Sequence, residues 1–264
     1  MTISIGAHVE QTDPIAEAKA RDTTLVQFFL GDPQGYKGPE VRYAGGAAGL
    51  RADAEAAGID LYVHAPYIVN VASTNNRIRI PSRKLLQQHV DAAAEIGAKG
   101  LIVHGGHVNN DDDPAIGFDN WRKAVEATDV KLPILIENTA GGDNAMTRHL
   151  DRIAGVWDAI STAEGVGQVG FCLDTCHAWA SGVPLTDVVD KVRAITGRID
   201  LVHANDSRDA FGSGADRHTN FGNGQIDPDE LAGVVRAAGA PVMCETPGGP
   251  SEHIADFAWL RDRV

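Results

Sequence analysis

Eight short apolar runs recur along the chain, and each of them ends at a polar side chain. The runs and their closing residues are Ile3–Ala7 with His8, Leu25–Val26 with Gln27, Leu61–Val63 with His64, Leu101–Val103 with His104, Ile134–Ile136 with Glu137, Phe171–Leu173 with Asp174, Leu201–Val202 with His203, and Val242–Cys244 with Glu245. A parallel strand that is buried on both faces reads as a continuous apolar run of this kind. Eight such runs at a mean spacing of roughly 33 residues, with helical patterns between them, predict a (β/α)8 TIM barrel of the α/β class.

The closing residues matter because of where a barrel places them. The C-terminal ends of all eight strands meet at one mouth of the barrel, and active sites of this fold lie at that mouth. Seven of the eight closing residues are histidine, aspartate or glutamate. The pattern therefore predicts that residues scattered over the whole chain form one pocket rich in potential metal ligands.

The length and composition fit this interpretation. A chain of 264 residues suits one α/β barrel, and we expect residues 1–264 to form a single domain. No apolar run approaches the length of about 18 residues that a membrane span needs. The opening segment Met1–Gly6 lacks the charged and apolar regions of a signal peptide, so we expect a cytoplasmic protein. Three cysteines, an odd number, favour reduced core residues over a disulfide framework.

Helical patterns and long irregular segments alternate with the runs. The predicted helices include Ser82–Ile96, Leu150–Thr162, Leu185–Thr196 and Pro228–Ala238. The longer irregular segments are Gly31–Gly49, Ala65–Pro81, Gly105–Gly117, Asn138–Thr147 and Ala204–Ile226. They follow the ends of runs, and in a barrel such loops surround the mouth, where long loops are often functional.

Three more potential ligands stand close to the predicted strand ends. His177 follows Asp174 by three residues, and the segment after the seventh run contains Asp216 and His218. A lone histidine at a strand end is more often a hydrogen-bonded residue than a ligand, but carboxylates gathered at one mouth would repel each other strongly without a cation. Mixed imidazole and carboxylate ligands suit zinc, manganese or iron better than calcium or magnesium. The candidate ligands are His64, His104, Glu137, Asp174, His177, His203, Asp216, His218 and Glu245.

Eight short motifs surround these candidates in order along the chain. They are His64-Ala-Pro-Tyr-Ile-Val-Asn70, Val103-His-Gly-Gly-His107, Leu135-Ile-Glu-Asn-Thr-Ala-Gly141, Cys172-Leu-Asp-Thr-Cys-His177, Val202-His-Ala-Asn-Asp-Ser207, Asp216-Arg-His218, Gly222-Asn-Gly224 and Cys244-Glu-Thr246. Together they resemble the endonuclease IV family of abasic-site endonucleases. That resemblance implies a DNA-repair hydrolase that cuts double-stranded DNA 5′ to abasic sites and leaves a 3′-hydroxyl and a 5′-deoxyribose phosphate.

The resemblance also implies a trinuclear zinc site, with Mn2+ or Fe2+ as possible substitutes. One ion would be held by His64, His104 and Glu137. A second would be held by Glu137, Asp174, His203 and Glu245, and the third by His177, Asp216 and His218. Glu245 is our candidate for orienting the attacking water, and Glu137 for joining the first two ions. We expect His8, Gln27 and His107 to pack at the mouth or to support ligands.

The family resemblance extends to DNA contacts. Tyr67 and Ile68 match its inserting pair, which fills the gap left by a flipped abasic nucleotide. Arg77 and Arg79 follow in the same segment and are candidates for phosphate contacts. Residues 31–38 do not align with the family's arginine-bearing DNA-probing loop; Gln34, Tyr36 and Lys37 are the candidates for replacing that contact. The family default is a monomer.

The net charge of −13 does not exclude a DNA partner. Nucleic-acid-binding proteins usually carry a basic surface. However, three divalent ions would add six positive charges and bring the net charge from −13 to about −7. Net charge alone therefore does not identify the partner.

Two other functions agree with parts of the pattern. A sugar isomerase or epimerase with a similar barrel and two metals could use Glu137, Asp174, His203 and Glu245 alone. The additional His177, Asp216 and His218 favour the nuclease. A protein that binds damaged DNA without cutting it is the other alternative, and an intact ligand set argues against it.

Overall fold

The computed structural model describes residues 3–264 and contains a closed barrel of parallel strands. Its strands are β1 Ile5–His8, β2 Leu25–Phe29, β3 Asp60–His64, β4 Gly100–His104, β5 Ile134–Glu137, β6 Val169–Asp174, β7 Leu201–His203 and β10 Val242–Cys244. The order around the barrel is β1, β10, β7, β6, β5, β4, β3, β2. Each barrel strand therefore pairs with the barrel strand that follows it along the chain, and β10 closes the barrel against β1. Between β7 and β10, the two-residue strands β8 Asp206–Ser207 and β9 His218–Thr219 form an antiparallel hairpin. The predicted (β/α)8 fold is confirmed.

Helices connect the strands on the outside of the barrel. They are α1 Pro14–Ala20, α2 Gly46–Ala57, α3 Asn76–Glu95, α4 Pro114–Ala127, α5 Leu150–Ile160, α6 Thr175–Ser181, α7 Val188–Thr196, α8 Pro228–Ala238 and α9 Pro250–Arg261. Several begin at an Asp or Asn side chain that accepts a backbone N–H of the first turn, as Asp13 does for α1 and Asp227 for α8. Among residues 3–264, we find no helix with both the length and the apolar character that a membrane span requires.

Two predicted helix boundaries were wrong. Helix α3 begins at Asn76 instead of Ser82, because the Asn75 side chain accepts the N–H of Arg77 and caps an additional turn. Pro81 lies inside the helix, where it costs one backbone hydrogen bond without ending it. The segment Leu185–Thr196 is also divided, since its first three residues form a 3-10 turn before α7.

The core has an outer and an inner part. The outer part lies between the barrel and its helices. The inner part is a separate cluster with one buried residue from each of seven strands, which we call the barrel plug: Leu25, Tyr62, Ile102, Leu135, Cys172, Leu201 and Met243. Successive side chains of a strand alternate between its faces. The residue two positions after each plug residue therefore also points into the barrel, and in every case it is Gln27 or one of the candidate ligands at a strand end.

The cysteines agree with their predicted role. Cys172, Cys176 and Cys244 are buried and form no disulfide. Burial raises the pKa of the Cys172 thiol to about 12, so it stays protonated and packs as an apolar side chain.

Candidate metal centre

The nine predicted ligands converge at the C-terminal mouth of the barrel. His64, His104 and Glu137 form a first cluster, and Glu137, Asp174, His203 and Glu245 a second; within each, the potential ligand atoms lie within 4.8 Å of one another. We call His177, Asp216 and His218 the third cluster.

Strand register brings the first cluster together. Glu137 on β5 pairs with His104 on the neighbouring β4. Nε2 of His64 and Nε2 of His104 lie 3.2 and 3.3 Å from the same oxygen, Oε2 of Glu137. Two ligand atoms that each lie about 2.1 Å from a tetrahedral ion are about 3.4 Å apart. The spacing of these three side chains therefore fits one bound ion.

The second cluster uses the other oxygen of Glu137. Nδ1 of His203 lies 3.0 Å from Glu137 Oε1, 3.4 Å from Glu245 Oε2 and 4.0 Å from Asp174 Oδ2. Glu137 is fully buried between the two clusters. Its two oxygens face different sets of candidate ligands, so Glu137 belongs to both clusters.

Asp174 and the short helix α6 place His177 in the third cluster. Oδ1 of Asp174 accepts the backbone N–H of His177 at 2.6 Å and so caps the helix. Nδ1 of His177 lies 2.8 Å from the carbonyl oxygen of Asn138, to which it can donate, which leaves Nε2 facing Asp216 Oδ2 at 3.1 Å. A carbonyl that accepts one ring N–H is a common way to orient a histidine ligand.

The hairpin β8–β9 brings His218 to the other side of Asp216. Nε2 of His218 lies 3.0 Å from Asp216 Oδ1. Within residues 3–264, the Nε2 atoms of His177 and His218 are buried without a hydrogen-bond partner. Two buried nitrogens directed at opposite oxygens of one carboxylate, outside hydrogen-bond geometry, match what a shared cation requires.

A buried carboxylate supports the loop that carries this part of the site. Asp206 accepts backbone N–H groups from four residues, Ser207, Gly222, Gly224 and Ile226, at 2.8–3.1 Å. A Cβ atom at Gly224 would lie 2.2 Å from Asp206 Oδ1, so only glycine fits at this close approach. These contacts hold the two ends of the segment 206–226 together.

Nearby histidines stabilise the charged form of the buried Glu137 carboxylate. Burial by itself would raise the pKa of Glu137, but neighbouring histidines, His203 foremost, hold this pKa well below its ordinary value. Burial also opposes charge on His177, yet Asp174 and Asp216 raise its pKa well above the ordinary value. A site in which carboxylates and imidazoles compensate one another in this way provides the donor set and the negative field that divalent cations bind.

Two asparagines that the sequence did not indicate form hydrogen bonds to the candidate ligands Asp174 and Glu245. Asn138 donates to the backbone oxygen of Asp174 at 2.9 Å and accepts its N–H at 2.7 Å. Asn205 donates to Asp174 Oδ2 at 2.7 Å and accepts the backbone N–H of Glu245 at 2.8 Å. Both stand one or two residues after a strand-end ligand, Glu137 or His203, and that position was the available signal.

A cavity of about 630 Å³ opens beside the clusters, and its lining includes His104, His177 and Asp216. Tyr67 and Ile68 line the same cavity. Tyr67 is 51% exposed, and its ring lies 5.6 Å, between centroids, from the rings of the candidate ligands His64 and His104. The half-exposed tyrosine therefore stands at the entrance to the site.

The other predicted DNA contacts differ from each other. Arg77 is exposed, and among residues 3–264 we find no hydrogen bond or ion pair to its guanidinium. Arg79 instead donates to the backbone oxygen of Ser73 at 2.8 Å and contacts the Asn76 side chain. Tyr36, from the segment 31–38, is half exposed and lines the cavity.

His107 lies on the rim of the cavity and is exposed. Its backbone N–H and C=O both pair with the side chain of Asn70, at 3.1 and 2.9 Å. Gly106 precedes it with a φ of +69°, a backbone conformation that favours glycine. His107 is not a member of any of the three clusters.

Comparisons with known proteins agree with this geometry. A family model described as a xylose isomerase-like TIM barrel matches residues 15–263. A protein from Mycobacterium tuberculosis named probable endonuclease 4 is 56% identical over 260 residues, which is 98% of each chain. The structure of endonuclease IV from Thermus thermophilus has a TM-score of 0.82 at 27% identity and covers 98% of this chain and 99% of that one.

The fold is also shared more widely. A D-tagatose 3-epimerase-like protein has a TM-score of 0.80 and covers 99% of this chain and 97% of its own, but at 18% identity it shows a common fold alone. The family model and the 56% identity over 98% of both chains show membership of a family and not only a common fold. The chain belongs to the endonuclease IV family of xylose isomerase-like TIM barrels.

Proposed function

We propose that this protein is a metal-dependent DNA-repair endonuclease that hydrolyses the phosphodiester 5′ to abasic sites in double-stranded DNA. The products would be a 3′-hydroxyl and a 5′-deoxyribose phosphate. Residues 1–264 would act as one TIM-barrel endonuclease domain, and a monomeric, cytoplasmic protein remains a prediction. Relatives named endonuclease 4 and endonuclease IV support the class of activity.

The observation that carries the proposal is the third cluster. A sugar isomerase or epimerase would need the second cluster only, whereas His177 and His218 place two further buried nitrogens around Asp216. Three neighbouring clusters, the first two joined by Glu137, suit the displacement of an oxygen from a phosphodiester, in which attacking, bridging and leaving oxygens all need stabilisation. We propose three Zn2+ ions, with Mn2+ or Fe2+ as substitutes.

The protein side chains would divide the work. When bound, the ions supply the positive charge that activates water and neutralises the phosphate and the leaving oxygen. Glu137 holds the first two clusters at a fixed separation. Glu245, whose side chain is 15% exposed, faces the second cluster and would orient the attacking water.

Side chains around the cavity would select the abasic nucleotide. A nucleotide without a base costs least to rotate out of the helix, because nothing stacks or pairs there. Tyr67 and Ile68 would fill the space it leaves, and Arg77 would contact a phosphate. In this proposal Arg79 has a weaker role, since its guanidinium already binds backbone and side-chain oxygens of its own chain.

A duplex with one tetrahydrofuran abasic analogue tests the proposal. The analogue does not undergo β-elimination, so a nick on its 5′ side with a free 3′-hydroxyl would demonstrate hydrolysis. Zinc content near three per chain is expected in the same preparation. Binding without a nick would support a protein that binds damaged DNA without cutting it. If the protein neither binds nor nicks the duplex, sugar substrates become the better hypothesis.

A further inference from the structure

Gln27 is a buried carboxamide on β2 that contacts two members of the second cluster. Its Nε2 atom lies 2.6 Å from Glu245 Oε1, and its Oε1 atom lies 2.8 Å from His203 Nε2. Nε2 also lies 3.0 Å from Nδ1 of His8. The side chain is 0% exposed. Its position two residues after Leu25 places it directly next to the barrel plug.

The chemistry of these groups leaves one arrangement of protons. An ionised carboxylate only accepts hydrogen bonds, so the amide NH2 of Gln27 must face Glu245. The amide oxygen then faces His203, and Nε2 of that ring must carry a proton in order to donate to it. The proton-free Nδ1 of a neutral His203 is thereby directed at Glu137 and Glu245.

The same amide also selects an oxygen of Glu245. Oε1 accepts from Gln27, while Oε2 lies 3.4 Å from His203 Nδ1, on the side of the cluster. The partner of a histidine ligand is usually a carboxylate, a backbone carbonyl or water. Here one neutral amide orients a histidine and a carboxylate at once, without adding charge to the site.

We propose that Gln27 is a positioning residue for the second cluster. It holds His203 and Glu245 in the orientations in which both bind the ion that they share with Glu137. The role rests on the proposed function, since it requires an ion at this cluster. Gln27 acts through these two ligands, and a purely structural amide would affect folding without affecting one ion selectively.

The substitution Gln27→Met tests this role, because methionine has a similar length and removes both hydrogen bonds. Zinc-loaded wild-type and variant proteins would be mixed with a chromogenic chelator, and the release of each ion would be followed in time. We expect one of three ions to leave the variant about 10 to 100 times faster, as when an outer partner of a ligand is lost. The other two ions should leave at the wild-type rates.

A second variant covers the case in which Gln27→Met does not fold. Gln27→Asn keeps the carboxamide but shortens it by one methylene, so it does not reach both ligands together. We expect faster release of the same single ion and a lower kcat with little change in KM. Wild-type release rates in both folded variants, or in Gln27→Asn alone if the other does not fold, would overturn the inference.

Gln11→Met is the matched control. Gln11 uses its carboxamide on the backbone of Gly31, at 2.8 and 3.1 Å, so all three ions should be retained as in the wild type. Equal acceleration in this control would also overturn the inference. A wild-type protein that holds no stoichiometric metal would contradict the proposed function itself, whereas a wild type with three ions and an unaffected Gln27→Met contradicts only the role of Gln27.

Discussion

At the residue scale, the two oxygens of the Glu245 carboxylate have different neighbours. One oxygen accepts from Gln27, and the other faces the second cluster. Glu245→Gln keeps the shape of the side chain but removes its charge and its basicity. We expect kcat on an abasic duplex to fall by about 10³-fold, within the range for a lost general base, with the Kd for the duplex nearly unchanged. Gel-based cleavage and fluorescence anisotropy measure the two quantities; retained turnover would remove Glu245 from the mechanism.

His218 tests the third cluster separately. His218→Ala removes one of the two buried nitrogens around Asp216, so zinc content should fall from three towards two per chain and hydrolysis should slow. Elemental analysis after dialysis measures the content. His107→Ala serves as the control, since His107 lies on the cavity rim outside the clusters and its loss should leave zinc unchanged. Full zinc content in His218→Ala would contradict the assignment.

The sequence predicted the histidines and carboxylates of the site better than the residues that form hydrogen bonds to them. The barrel strands bring their ends together whatever the details of packing, so candidate ligands such as His104 and Glu137 could be proposed from position alone. Asn138 and Asn205 could not, because an amide near a strand end has many possible partners. Which partner it takes depends on distances that a linear pattern does not contain.

At the scale of elements, the loop after β3 places an exposed aromatic side chain at the entrance to the cavity. Tyr67 lies in this loop, and its backbone N–H donates to the oxygen of Pro33 at 2.9 Å, which joins it to the loop after β2. Phe29 supports the Tyr67 ring in an edge-on contact at 5.2 Å. The ring is therefore held at the entrance while half of it stays exposed.

Removing this ring should lower the catalytic efficiency on abasic DNA. Stacking of an aromatic ring on a base contributes about 1–3 kcal/mol, so Tyr67→Ala should lower kcat/KM by about 10-fold or more. Zinc content should stay at the wild-type value. Tyr67→Phe keeps the ring and should retain most activity. Steady-state kinetics on the tetrahydrofuran duplex decide the matter, and an unaffected Tyr67→Ala would indicate that the tyrosine only packs within its loop.

Elements differed in how well the sequence predicted them. The barrel strands were recognisable because burial on both faces leaves an uninterrupted apolar run. The start of α3 was not, because Ser82 has the character of a helix start, whereas Asn75 caps an additional turn ahead of it. The hairpin β8–β9 gave no signal, since strands of two residues have no periodicity. Its position depends on the buried carboxylate of Asp206.

At the scale of the whole molecule, the site links stability to pH. In the metal-free protein, His177, His203 and His218 have pKa values well above the ordinary value, because surrounding acidic groups outweigh the effect of burial. A histidine whose pKa is raised by folding stabilises the folded state fully below its unfolded pKa, about 6.5. That stabilisation is lost as the pH rises through the folded pKa.

The metal-free and metal-bound proteins should therefore respond to pH in opposite directions. In EDTA, we expect Tm to fall over the pH interval that begins at about 6.5 and ends at the raised pKa values of these histidines, as they lose their protons. With excess zinc, ligand deprotonation favours binding, and Tm should rise over the same interval. Thermal unfolding followed by circular dichroism measures both profiles, and His218→Ala should have the shallower slope in EDTA. A metal-free Tm that increases with pH would contradict the proposed electrostatics.

The barrel plug links the packing of the barrel interior to the arrangement of the candidate metal ligands. Seven strands carry a plug residue and, two positions later, Gln27 or a candidate ligand. Shifting such a strand by one residue, through an insertion or deletion ahead of its plug residue, would turn both side chains outward together, because faces alternate with every residue. A chain with a misdirected ligand would thus also lose part of its apolar interior and fail to close. Correct packing of the barrel interior therefore also directs the candidate metal ligands inward before any substrate binds.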